Sequence, residues 1–117
     1  MRKFIALFTT LIMSNTIAAA GFIDGHYLAS NIREYEKANM GDSSTNYQSA
    51  AELKFYILGA ADLLTNNTTN VVCYPQNAKS NQVVATVVKY LRENPETWSE
   101  SGDAIVWEAL KKSFPCS

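Results

Sequence analysis

The chain has 117 residues, ten Lys and Arg against eleven Asp and Glu, a formal net charge of −1 and 47% hydrophobic residues. That length suits one domain and is too short for two. A charge this near neutrality argues against nucleic acid, which wants a basic face, and against an anionic membrane surface.

The first element is a targeting segment. Met1-Arg2-Lys3 is a short positive start, and Phe4 to Met13 is apolar apart from Thr9 and Thr10. Ala18-Ala19-Ala20 then offers small residues for cleavage. The apolar run falls well short of the roughly twenty residues that a membrane-spanning helix needs. Residues 1–20 are therefore expected to be a cleaved signal peptide, with residues 21–117 as the folded domain. Loss of Arg2 and Lys3 moves the net charge to about −3. A mildly acidic surface suits a basic protein partner, but it is equally the ordinary state of a soluble protein.

The remaining chain predicts four helices. The first spans about Asp24 to Met40, because Leu28, Ile32 and Tyr35 fall on one face and Gly41 follows as a stop. Gly41 to Asn46 is loop chemistry. The second helix spans about Tyr47 to Leu64 and is apolar nearly all round, so it must be surrounded by the other helices or by a second subunit. Within it, Asp62 needs a partner if it is buried, and a hydrogen bond near the helix end is the simplest one. Thr65 to Asn70 is a polar loop. The third helix starts near Ser80 as N-cap and carries Val83, Val84, Val87, Val88 and Leu91 at helical spacing. Asn94-Pro95 ends it, because the residue before Pro is pushed out of the α region. The fourth spans about Gly102 to Ser113, with Asp103 in its first turn and Lys111 and Lys112 in its last, as the helix dipole favours. The expected fold is all-α, a compact bundle of about four helices.

Cys73 and Cys116 are the two cysteines. Export would place them where disulfides persist, and two thiols allow one internal pairing. Closing that loop contributes about 4 kcal/mol on chain-entropy grounds, which matters for a domain this small. The functional alternative is a nucleophilic Cys beside His26, the only histidine. One His and two widely spaced Cys make no metal-ligand cluster, and no glycine-rich phosphate loop is present, so no cofactor is expected.

With catalytic chemistry this thin, the expected activity is binding. The connection holding Pro95, Glu96, Thr97, Trp98, Ser99, Glu100 and Ser101 places a Trp among polar residues on a stretch stiffened by Pro, the make-up of an interface anchor. Trp98 could equally fold back as a lid over the core. The outer face of the third helix, with Gln82, Thr86, Lys89, Arg92 and Glu93, lies next to it in sequence and could widen the patch. Trp107 and the surplus apolar residues of the second helix belong either to the core or to a homodimer.

Three motifs carry a family resemblance. Val72-Cys73-Tyr74-Pro75 follows a Gly-Ala-Ala-Asp helix; Asn81-Gln82-Val83-Val84 leads to Lys89-Tyr90-Leu91 and Asn94-Pro95-Glu96; Ala109-Leu110 precedes the ending Ser113-Phe114-Pro115-Cys116. In that order, from about Tyr56 onward, they resemble the Rap/Tai family of type VI secretion immunity proteins. The resemblance implies a periplasmic, mostly helical protein that binds an injected peptidoglycan amidase effector and blocks its active-site cleft. It also implies dimers in some members, and an inter-helix loop as inhibitory element, carried here onto Asn94 to Ser101. The alternative is a periplasmic acid-stress chaperone of the Hde type, which is also small, helical and singly disulfide-bonded.

Overall fold

Five apolar stripes meet in one core, and each lies on a helix. A computed structural model describes residues 21–117. The signal-peptide expectation for residues 1–20 lies outside the described residues. The helices are α1 (Gly25–Ser30), α2 (Ile32–Asn39), α3 (Tyr47–Asn66), α4 (Ser80–Glu93) and α5 (Gly102–Ser113), with a 3₁₀ turn at Pro95–Thr97. Leu28, Leu53, Ile57, Val84, Val87, Leu91, Ile105, Val106 and Leu110 are fully buried and contribute from every helix but α2, which adds Ile32 and Tyr35.

The all-α expectation is borne out, with differences at the helix ends. The first helix is broken in two at Asn31, where φ is −93° and ψ −5°. Asn31 N donates to Leu28 O at 3.2 Å, which tightens the last turn of α1, and Ser30 Oγ donates back to Tyr27 O at 2.7 Å. Ser and Asn side chains compete with the helical ladder in this way. The break leaves both Leu28 and Ile32 facing the core.

Helix α3 runs past Leu64 to Asn66. Beyond it, Asn67 Nδ2 and Thr68 Oγ1 donate to Leu63 O and Leu64 O, meeting carbonyls that the end of a helix leaves orphaned. At the start of α4 the cap is Lys79 and not Ser80. Gln82 Oε1 accepts from Lys79 N at 2.8 Å, so the helix begins one residue earlier than expected.

Asp62 also departs from the buried position considered for it. It lies on the solvent side of α3 and so needs no internal partner.

Cys73 and Cys116 form a disulfide, with their Cα atoms 4.9 Å apart. The bond fastens the α3–α4 connection to the segment after α5. Around it, Cys73 N donates to Phe114 O at 2.8 Å, Val72 pairs with Pro115, and the Tyr74 and Phe114 rings meet edge to face at 5.1 Å.

Candidate functional site

The connection between α4 and α5 is built as a stiff element. Asn94 N and Nδ2 both donate to Tyr90 O, which ends α4. Pro95 then opens the 3₁₀ turn, and Thr97 Oγ1 closes back on Asn94 O at 2.8 Å. The next residues cap α1. Gly25 N donates to Glu100 O at 3.0 Å and His26 N to Trp98 O at 2.9 Å, while Asp24 Oδ1 accepts from Tyr27 N at 2.9 Å. The first amides of α1, which no helical carbonyl can serve, are thus satisfied by the loop's own backbone. Gly102 N donates to Ile23 O at 2.8 Å and completes the clasp.

Trp98 folds back over the core while part of its side chain stays exposed. The side chain is half-buried against the core, its Nε1 donates to Leu91 O at 2.8 Å, and His26 meets the ring edge-on at 6.0 Å. Pro95, Glu96, Ser99 and Glu100 face solvent, while Thr97 and Ser101 are half-buried. The loop therefore presents a polar, acidic crest over an aromatic base.

The candidate face of α4 divides. Thr86, Lys89 and Glu93 gather with Tyr90, Lys112 and Ser113 around a shallow cleft of about 90 Å³. Lys89 lies 3.9 Å from Glu93 within that group. Arg92 turns the other way and pairs with Glu36 of α2. Gln82 sits a turn and more away, at the start of α4, as part of its cap. Thus Lys89 and Glu93 share the C-terminal end of α4 with the loop, and Gln82 and Arg92 do not join them.

Tyr90 is the residue that sequence reasoning missed. Burial, then the negative charges of Glu108, Glu100 and Glu96, push its phenol above the usual value. Glu108, on α5, is paired with Lys111, and Lys112 lies over the Tyr90 ring at 6.0 Å, so charges of both signs surround this tyrosine. The signal was present in Tyr90 following Lys89 at the helix end, but the contribution of α5 needed the packing of α5 on α4.

Cys73 and Cys116 are consumed by each other, and no free cysteine exists among the described residues. His26 is exposed beside Trp98.

No curated protein matches the chain significantly. A family model described as Rap1a immunity proteins matches residues 24–116. The match runs from the α1 cap at Asp24 through Cys116 and takes in both cysteines and the whole loop between α4 and α5. The chain belongs to the Rap1a immunity protein family, and such a protein acts on a partner effector.

Proposed function

We propose that this protein neutralises a peptidoglycan amidase effector of a type VI secretion system, in the periplasm, by covering the effector's active-site cleft with the loop Asn94 to Ser101. The observation that carries the reading is the build of that loop. Both flanks are tied by backbone hydrogen bonds, so its ordering cost is met on folding and not on binding. Its crest holds Glu96, Ser99 and Glu100 in solvent, a shape and charge suited to the rim of a cleft. A disulfide and an N-terminal segment with export character support action outside the cytoplasm.

Family membership favours this reading over the acid-stress chaperone. The test is to mix the purified, oxidised protein with an amidase effector from the same cells and follow the release of peptidoglycan fragments. Full inhibition near equimolar ratio is expected; undiminished cleavage at excess protein ends the proposal. Lys substitution of both Glu96 and Glu100 should weaken inhibition at least about tenfold.

A further inference from the structure

The connection between α3 and α4 leaves a hollow where it turns back on the bundle. The disulfide ties Cys73 to the chain end, and the Tyr74 ring meets Phe114 at 5.1 Å. Ala78 N donates to Pro75 O at 2.9 Å and closes the turn that follows. This wall is therefore set on folding and not on binding. Between it and the bundle lies a cleft of about 480 Å³, a size that suits a small ligand. Leu58, Ala61 and Val83 supply its apolar surface, and Asp62, Tyr74 and Lys79 stand around them.

The charges of this cleft are unanswered within the chain. Asp62 lines it from α3 and Lys79 from the head of α4. Neither forms a salt bridge among the described residues, with each other or with a third group. Burial pushes the Tyr74 phenol above its usual value, a hydrogen bond from Thr65 opposes this, and the charge of Asp62 adds to the rise. Carboxylate and aromatic ring thus lie close together, a pairing that receives a cation. The Lys79 side lacks negative charge. A helix dipole favours acidic residues in the first turn, yet α4 has none there and is capped by Lys79, a cation. An anion is what that position is short of.

We propose that this cleft binds a short peptide with free ends. Its α-ammonium is held by Asp62 and Tyr74, its α-carboxylate by Lys79, and an apolar side chain rests on Leu58, Ala61 and Val83. Charge complementarity selects this occupant. A lone cation would meet Lys79 as well as Asp62, and a lone anion would meet Asp62 as well as Lys79. A zwitterion answers both, and the apolar surface between them takes a side chain. The cleft lies at the start of α4 and the loop Asn94 to Ser101 at its end, about 20 Å away along the helix. The inference therefore does not depend on the effector's identity.

The test titrates the dipeptide alanyl-leucine into the purified, disulfide-intact protein and follows backbone amide shifts by NMR. Saturable shifts centred on Asp62, Tyr74 and Lys79 are expected, with a dissociation constant of about 1 mM, ordinary for so small a ligand. Asp62→Asn and Lys79→Met should each weaken binding at least about fivefold. Both side chains are exposed, so circular dichroism should show an unchanged helical fold. Acetylating the amine of the probe, or amidating its carboxyl, should cost a similar factor. The acetylated probe should bind Asp62→Asn about as it binds wild type, because the partner of that carboxylate is already gone. Shifts that do not saturate by about 20 mM overturn the proposal, as do saturable shifts centred elsewhere on the surface. So do variants that bind alanyl-leucine as wild type does, or blocked probes that bind as tightly as the free dipeptide.

Discussion

Gly25 and Trp98 touch backbone to backbone. A Cβ on Gly25 would stand 2.5 Å from Trp98 Cα and 2.8 Å from Trp98 O, and 2.5 Å from Ile105 Cδ1. Such distances force the chain apart, because two of the three atoms belong to a backbone held by its own hydrogen bonds. Gly25→Ala should therefore cost about 1–3 kcal/mol, as overpacking does, even though Ala is the better helix former. Thermal unfolding checks this, and a midpoint equal to wild type would show that the loop yields freely.

Trp98 supports the loop from beneath. Replacing it with Phe keeps the ring and removes the donor to Leu91 O, for a loss of about 1 kcal/mol. Trp98→Ala removes the packing as well, for about 2 kcal/mol or more from this half-buried position. Calorimetry and an inhibition assay on the same preparations separate the roles. Stability should fall in both variants. An Ala variant with wild-type stability and lost inhibition would mark the ring as a direct contact.

The disulfide holds the end of the chain. Substituting both Cys73 and Cys116 with Ser should lower stability by about 4 kcal/mol, a large part of what a small domain has. The first segments to loosen should be those around Val72 and Phe114, whose pairing spans the bond. Hydrogen exchange with and without reductant reads this directly: on reduction, protection at Cys73 N should be lost to a greater extent than that of the α4 amides, which fall only with the global stability.

Acid should weaken the fold at the α2–α3 junction. Glu34 accepts Asn46 N at 2.6 Å and Lys37 Nζ at 3.2 Å, and these two, the backbone bond first, hold its carboxyl below the ordinary value. Glu52 is lowered by the Tyr27 hydroxyl and then Gln48, and Asp42 by the backbone and side chain of Ser44. A carboxyl depressed in the folded state contributes its stability above its unfolded pKa and loses it as pH falls through the folded value. Stability should hold from neutrality down to the usual carboxylate range and decline below it. Glu34→Gln should lower the unfolding midpoint at pH 7 and flatten the acid limb, with the two curves meeting in strong acid. A midpoint for wild type that rises on acidification would contradict this assignment.

Much of the architecture was legible from local pattern. The spacing of Val83, Val84, Val87, Val88 and Leu91 names the buried face of α4, and all five are buried. Gly102–Ser113 has the bounds expected for the last helix, since its dipole-matched ends are local chemistry. The break at Asn31 was hidden because the apolar spacing of Leu28, Ile32 and Tyr35 runs through it unbroken. Only the competing bond of Ser30 and the clasp from the α4–α5 loop show why α1 is separate.

Two kinds of information thus met in this protein. Periodicity alone determined that it is helical, composition left its two thiols each other as the simplest partners, and three motifs carried a resemblance to an immunity-protein family, because these are matters of residue type and near-neighbour spacing. Tertiary structure decided which way α3 turns its surplus apolar side chains and where Trp98 points. A helix apolar on every side has no periodic signal to choose its buried face. A Trp in a loop likewise has no neighbour in sequence to tell whether Leu91 O or solvent will receive its N–H, and only the packing of α1, α4 and α5 around it makes that choice.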